Sequence, residues 1–281
     1  MQWLESTVAD EHDGFKITEY LKHVLGLSVT LIKKVKYGGV FINGTNVHMR
    51  ATVTVNDNIR VRLPEETSVS IKSIPMPLDI VYEDEYLIAV SKPRGMPTHP
   101  SRGNSLPTLA EGIMAYFGGN FVFRAINRLD RDTGGIVIIA KDPHTAAKLS
   151  EEMKAGGYVK KYYAVVCGIP SPAEGLIDAP IDREMEGNIR RCVRETGKRA
   201  ITAYKVIREV DGGALIEVRL LTGRTHQIRV HMAHIGHPLQ NDFLYGTKIR
   251  EGEYLLHARE LEFTHPITGE RLHLISHADF E

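Results

Sequence analysis

A turn-forming stretch that runs directly into an apolar segment is the sequence feature that most constrains the fold. Residues 130–135 read Asp-Arg-Asp-Thr-Gly-Gly, and the apolar run from Ile136 to Ala140 follows at once. Aspartate, threonine and glycine favour a turn, and the β-branched run predicts a buried strand. We therefore expect Asp130 at a strand end, where ligand-binding clefts of mixed sheets are often found. Spacing alone leaves a simpler alternative, a surface ion pair with Arg128 or Arg131.

The remaining pattern indicates an α+β protein. Strand-like segments predominate after residue 78, from the hairpin sequence DIVYEDEYLIAVSK to the final LEFTHPITGERLHL. Within this part, a helix is expected at residues 144–155 and a helical or mixed segment at residues 225–235. These elements predict a mixed, mostly antiparallel sheet with peripheral helices.

The first 72 residues predict a separate small α/β module. Helical spacing in residues 17–25 and 28–39 precedes a hairpin signal, Asn43-Gly44, and a strand-like segment at residues 52–63. Between residues 15 and 63, eight Lys or Arg stand against two acidic residues, although the whole chain has no formal net charge. A basic module of this kind is typical of polyanion binding, and a solvated basic face is the alternative. Two prolines near residue 76 mark a linker, so we place the domains at 1–72 and 73–281.

Several classes of protein find no support in the sequence. The two cysteines form no CxxC pair, which argues against a disulfide framework and favours a reducing cytoplasm. No apolar run is long enough for a signal peptide or a membrane span. Neither a phosphate-binding loop nor a dinucleotide motif indicates a cofactor, and a monomer is the default. Three histidines at spacings of three, His231, His234 and His237, are assigned structural roles rather than a metal site.

The N-terminal module resembles the S4-type RNA-binding domain. The resemblance is carried by LGLS, by the basic second helical segment that ends in glycine, and by VFING and VNDNIRV. It implies that Lys33, Lys34 and Lys36 contact the RNA backbone, because lysines bind phosphates with little dependence on sequence.

Four spaced motifs in residues 78–275 resemble the pseudouridine synthases of the large-subunit ribosomal RNA type, often called the RluA family. The signature HRLDxxTSG aligns with residues 127–135 and matches at five of its seven specified positions, with Asn127 for His and Gly134 for Ser. The other three motifs correspond to KKYYAVVCG, LLTGRTHQIRVHMAHIGHPLQNDFLYG and HARELEFTHPITGE.

This resemblance implies an isomerase that converts uridines in ribosomal or transfer RNA to pseudouridine without a cofactor. Asp130 would act at C1′ or C2′ of the ribose, as nucleophile or as base. Arg224, the motif arginine, would keep that carboxylate ionised, since a nearby cation favours the charged form. Tyr162 would stack under the uracil ring.

Three arginines are expected to contact RNA around this centre. Arg128 would lie beside the nucleotide that is flipped out of its stack, because C1′ of a paired uridine is inaccessible. Arg190 and Arg191 belong to a basic, loop-like segment suited to an RNA backbone.

Two other functions stay open at this point. One is an RNA-binding or assembly factor that keeps the fold without catalysis. The other is a nucleosidase or base glycosylase, which also uses an aspartate near C1′. A hydrolase would need a second group to activate water, and no second carboxylate motif is paired with Asp130 in the sequence.

Overall fold

The computed structural model describes residues 3–27, 29–63, 71–101, 105–246 and 253–281. The strands form a four-stranded sheet, a ten-stranded sheet and a separate two-stranded hairpin. The α+β prediction with mostly antiparallel strands is confirmed. The boundary between residues 72 and 73 stays a prediction.

The four-stranded sheet lies in the N-terminal part of the chain and has its own core. Its antiparallel strands, in the order β1-β4-β2-β3, are β1 (Trp3–Thr7), β2 (Val40–Ile42), β3 (Thr45–Asn46) and β4 (Asn58–Arg62). The helices are α1 (Ile17–Glu19), which continues as a π turn over Tyr20–Val24, and α2 (Val29–Val35). Tyr20 and Leu31 pack with Ile59 in a core of buried side chains.

The predictions for this part of the chain are partly right. The hairpin at Asn43-Gly44 is present, and both residues have the positive φ that such a turn requires. The strand expected over residues 52–63 is shorter, because only Asn58–Arg62 pairs continuously. Strand β1 was not predicted, since a short edge strand with a polar half gives little alternation.

The ten-stranded sheet forms the larger part of the protein. Its main path is β10-β13-β14-β9-β15-β8-β6-β5, with β16 beside β15 and β7 beside β8. Its strands are β5 (Asp79–Glu83), β6 (Leu87–Lys92), β7 (Arg124–Ala125), β8 (Gly134–Ala140), β9 (Val159–Cys167), β10 (Glu174–Asp178), β13 (Ile201–Val210), β14 (Gly213–Leu220), β15 (Leu256–Thr264) and β16 (Arg271–Ile275). The separate hairpin pairs β11 (Ile181–Arg183) with β12 (Arg191–Val193).

Three helices accompany this sheet: α3 (Leu109–Tyr116), α4 (Pro143–Lys154) and α5 (Gln227–His234). The α4 prediction is confirmed, and the Asp142 carboxylate accepts the backbone N–H groups of His144 and Thr145 at its start. Helix α3 was missed, although Thr108 and Glu111 form a capping box that the sequence displays. Within the described ranges, no helix has the length and apolar character needed to cross a bilayer.

Close approach of two parallel strands fixes the place where β8 begins. Gly134 and Gly135 pair in parallel with β15, whereas the other recorded pairs of the sheet are antiparallel. Gly135 has φ +104°, and a Cβ atom there would lie 2.2 Å from the Ala258 carbonyl oxygen. Only glycine fits this position. The turn that carries Asp130 is thereby held at one defined edge of the sheet.

Replacing Gly135 with alanine should strongly destabilise the protein. The new methyl group would collide with the β15 backbone, and we expect the free energy of unfolding to fall by at least about 3 kcal/mol. Gly156→Ala is the matched control, because Gly156 also has positive φ but an added Cβ would meet no atom within 4 Å. That control should cost about 1–2 kcal/mol. Urea unfolding measures both, and equal losses would contradict the steric argument.

Candidate active site

A cavity of about 620 Å³ lies where the loop before β8 meets the loop before α5. Four residues predicted from the sequence line it together: Arg128, Asp130, Tyr162 and Arg224. Among the described residues of its wall, Asp130 is the sole carboxylate, against five Lys or Arg. A larger cavity of about 900 Å³ elsewhere does not include Asp130, and its Lys92 and Arg94 are bound to protein oxygens.

Hydrogen bonds hold the Asp130 loop on both sides. Before Asp130, the Thr98 hydroxyl donates to the Leu129 carbonyl at 2.9 Å. After it, the buried Lys92 ammonium donates to the Arg131 carbonyl at 3.0 Å. Burial lowers the pKa of Lys92 to about 8, although the nearby acidic side chains act in the opposite direction. A loop held in this way presents the Asp130 carboxylate, 34% exposed, to the cavity.

The two departures from the family signature have structural explanations. The Asn127 amide donates to the Ile136 carbonyl and accepts the Ile138 N–H, both at 2.9 Å, so it ties the loop to β8. A Cβ atom on Gly134 would lie 2.8 Å from Nδ1 of His257. Glycine at the family's serine position therefore leaves room for the buried His257 ring.

The cation beside Asp130 is Arg229, which lies on α5. Its Nη1 is 3.6 Å from Oδ2 of Asp130, while Nε and Nη2 donate to Asp242 at 2.7 Å each. The guanidinium also lies over the rings of Tyr254 and Tyr245, at 4.4 and 5.0 Å. Burial lowers the pKa of Arg229, but the bonds to Asp242 and the surrounding groups outweigh it and raise the pKa above its usual value.

Among the described residues, the ion pairs recorded for Asp130 are with Arg229 and His226 rather than with Arg224, whose catalytic role stays a prediction. Arg224 is exposed in the loop before α5, and its Nε donates to the Arg199 carbonyl at 3.0 Å. The Gln227 side chain accepts the Arg224 N–H and donates to the Ile201 carbonyl, so it fixes this loop against β13. Both arginines occupy one sequence motif, and burial distinguishes them.

Tyr162 lies on β9 and contributes to the cavity wall at the edge of two apolar clusters. Burial, and then the charge of Asp130, raise the pKa of its phenol well above the usual value. The ring is therefore neutral at physiological pH. Lys160, two residues earlier, lines the same cavity, and burial lowers its pKa.

His226 is a second neighbour of Asp130 that the sequence did not reveal as a site residue. Its Nε2 is 3.7 Å from Oδ2 of Asp130, and its Nδ1 is 2.7 Å from the Tyr245 hydroxyl. Burial lowers the pKa of His226, although Asp130 acts in the opposite direction, so the imidazole is neutral at pH 7.

The residues predicted to bind RNA lie on two surfaces. Lys33 and Lys34 are exposed on α2, and Lys36 is exposed just after it. Arg191 begins β12 and Arg190 precedes it, so part of the segment expected to be a loop forms a β-hairpin. Arg190 pairs with Glu184 at 3.3 Å and lies 5.8 Å from the centre of the Tyr245 ring.

The histidines of the α5 motif make protein contacts. His231 bonds to the Thr202 hydroxyl and the Ala179 carbonyl, and His237 bonds to the Cys167 carbonyl. The group of potential metal ligands found in the described part of the chain lies elsewhere, at Glu260, Glu262 and His273. Glu260 there already pairs with Lys161 at 3.0 Å.

Comparison with known proteins assigns the chain to a class. Residues 86–234 match the family model described as RNA pseudouridylate synthase. The chain is 38% identical over 255 residues to the uncharacterized RNA pseudouridine synthase YjbO of Bacillus subtilis, covering 88% of this chain and 90% of that protein. It is 34% identical over 255 residues to the ribosomal large subunit pseudouridine synthase D of Xanthomonas campestris, covering 84% and 76%.

A solved structure agrees with this assignment. Human RNA pseudouridylate synthase domain containing 1 matches with a TM-score of 0.63 and 26% identity, covering 73% of this chain and 85% of that one. The chain therefore belongs to the RNA pseudouridylate synthase family. It is an RNA pseudouridine synthase, an isomerase that acts on RNA. The family match begins at residue 86, so the S4 resemblance of the N-terminal module stays a prediction.

Removing Arg229 should destabilise the protein far more than removing Arg224. Arg229→Met leaves the fully buried Asp242 without its partner, and we expect the free energy of unfolding to fall by about 3–5 kcal/mol. Arg224→Met removes an exposed side chain and should cost less than about 1 kcal/mol. Urea unfolding of both variants is the measurement. The double variant Arg229→Met/Asp242→Leu should regain part of the loss, and a full loss there would contradict the ion-pair explanation.

Proposed function

We propose that Asp130 is the catalytic carboxylate and that the substrates are uridines in structured RNA, ribosomal RNA in the first place and transfer RNA as the alternative. The observation that carries this proposal is the cavity whose described wall holds one carboxylate, Asp130, together with five Lys or Arg residues. A polyanionic substrate requires such cations, and the carboxylate supplies the group that reacts at the ribose. The relative named ribosomal large subunit pseudouridine synthase D supports the choice of ribosomal RNA.

The reaction exchanges one glycosidic bond for another. The bond between N1 and C1′ breaks, the uracil turns, C5 bonds to C1′, and the proton on C5 leaves while N1 gains one. Asp130 acts at C1′ or C2′ during the first step. Arg229, held by Asp242, supplies a fixed positive charge opposite that carboxylate, the role that the sequence assigned to Arg224.

Tyr162 is assigned a stacking role against the freed uracil. A phenol whose pKa is raised by burial stays protonated near neutral pH and is a poor base. Tyr162 therefore contributes through stacking of its ring on the uracil rather than through proton transfer by its hydroxyl. Lys160 and Arg128 lie in the same wall and offer cations for the phosphates that flank the flipped nucleotide.

The two basic surfaces outside the cavity are assigned to the RNA backbone. We propose an S4-like module at residues 1–72, in which Lys33, Lys34 and Lys36 bind phosphates, and a catalytic domain at residues 73–281. The hairpin with Arg190 and Arg191 would extend the contact next to the cavity. We further propose that the enzyme acts as a monomer in the cytoplasm, where its two cysteines stay unpaired.

Asp130→Asn should abolish product while folding and RNA binding survive. The amide keeps the shape of the side chain but lacks the negative charge, so the rate should fall by at least about a thousand-fold. Pseudouridine-specific chemical mapping of total RNA would compare cells without the protein, cells rescued with the wild type and cells rescued with the variant. A site that returns with wild type alone would identify the substrate and support the role of Asp130.

The matched control for that experiment is Asp178→Asn, which changes an exposed aspartate of β10 that lies outside the cavity wall. It should restore the modified site in full. Restoration by Asp130→Asn as well would overturn the assignment of the catalytic carboxylate.

Loss of two lysines from the N-terminal module should weaken RNA binding without changing the chemical step. In Lys33→Gln/Lys36→Gln, the magnitude of the slope of log K against log salt should fall by about 1.5. The variant makes two fewer phosphate contacts, so its binding releases fewer counterions. Lys154→Gln/Lys205→Gln removes two exposed lysines outside the module and is the control. Filter binding over a salt series gives the slopes, and identical slopes for the two double variants would contradict the module's role.

A further inference from the structure

We propose that His226 is a positioning residue for Asp130, with the hydroxyl of Tyr245 fixing its tautomer. This inference rests on the proposed role of Asp130. It adds a chain of contacts from the β11–β12 hairpin through Tyr245 to His226, which are hydrogen-bonded to one another, and from His226 toward the reacting carboxylate.

The first two contacts of this chain are hydrogen bonds, and the last is an electrostatic approach of an imidazole to a carboxylate. The backbone N–H of Arg191 donates to the Tyr245 hydroxyl at 2.8 Å, and that hydroxyl lies 2.7 Å from Nδ1 of His226. The far side of the ring places Nε2 at 3.7 Å from Oδ2 of Asp130. The rings of His226 and Tyr245 meet edge to face, with centroids 5.6 Å apart.

The direction of the hydrogen bonds follows from the donors available. The Tyr245 oxygen already accepts the Arg191 N–H, so its own proton is free to point at Nδ1. With Nδ1 as acceptor, the neutral imidazole carries its proton on Nε2. The N–H therefore faces the carboxylate of Asp130, and the opposite tautomer would place a lone pair against a negative charge.

The backbone of His226 indicates that this placement is enforced. His226 precedes α5 with φ +57° and ψ +19°, a left-handed conformation that costs energy for a residue other than glycine. Gln227 holds the adjoining turn through bonds to the Thr222 hydroxyl and the Ile201 carbonyl. The turn thus keeps the imidazole over the cavity against its local preference.

Asp130 needs a second fixed neighbour because Arg229 alone does not orient it. Two nitrogens of the guanidinium are committed to Asp242, and the third remains 3.6 Å from Asp130, beyond a normal hydrogen bond. Nε2 of His226 approaches the same oxygen, Oδ2. Both groups would close on that oxygen when RNA fills the cavity, which leaves Oδ1 to face the ribose.

The test uses the full-length enzyme and unmodified transcripts of large-subunit ribosomal RNA and transfer RNA that carry tritium at C5 of uridine. Formation of the bond from C5 to C1′ releases the label. A positioning role predicts that His226→Ala lowers kcat by about ten-fold with KM for RNA within two-fold of wild type, the loss expected for one charge-assisted hydrogen bond.

Two uncharged substitutions of His226 distinguish a positioning role from a role in stability alone. Gln places an amide N–H near the position of Nε2, whereas Asn replaces only the acceptor near Nδ1 and tolerates positive φ at least as well. His226→Gln should therefore recover most of kcat, and His226→Asn should behave like His226→Ala. Tyr245→Phe should show a similar loss, and adding it to His226→Ala should lower kcat no further.

The experiment tests the role of His226 separately from the proposed function. Equal activity of His226→Gln and His226→Asn, a loss confined to KM, or additive losses in the double variant would overturn the inference while the proposed function stands. A wild-type enzyme that releases no tritium from either RNA would overturn the proposed function, and the inference would fall with it.

Discussion

A buried guanidinium is the interaction on which the geometry of this site depends. Taking the charge of Arg229 out of water costs several kcal/mol, and that cost is offset only when its N–H groups have partners. Asp242 accepts two of them, and the guanidinium carbon lies over the rings of Tyr245 and Tyr254. With those positions taken, Nη1 faces Asp130. The position of Arg229 is therefore set by the partners that its buried charge requires. The sheet must then place Asp130 next to it.

The sheet does this through close packing of two strands and through side chains that bind backbone groups of the Asp130 loop. Gly135 lets β8 approach β15 so closely that a methyl group has no room, which sets the strand end from which the Asp130 loop departs. Asn127 ties the start of that loop to β8, and Lys92 binds a carbonyl just beyond Asp130. A loop restrained at both ends loses little further freedom when substrate binds, so less of the binding energy goes into ordering the site.

Sequence reasoning reached the parts of this arrangement that are local. The junction of turn and apolar strand placed Asp130 at a strand end, and Asn43-Gly44 predicted a hairpin, because both signals lie within a few neighbouring residues. The motif indicated Arg224 as the partner of Asp130, whereas the structure pairs that carboxylate with Arg229, because the contact depends on which residue is buried against Asp242. One clue was available: Arg229 stands between Ile228 and Val230, where a charged side chain needs a buried partner.

The groups around the carboxylate also bear on the kind of chemistry the cavity favours. Burial raises the pKa of Tyr162 and Tyr254 and lowers that of His226, so all three are uncharged near pH 7. The field at Asp130 is then set mainly by fixed cations, because the neutral groups contribute only dipoles and shape. Hydrolysis of the N-glycosidic bond would call for a second group to activate water, and the described residues of the cavity wall include no carboxylate besides Asp130. Isomerisation has no such requirement, since the nucleophile that replaces N1 is C5 of the same base, and the proposed stacking of uracil on the Tyr162 ring would favour recapture of the base over its loss to solvent.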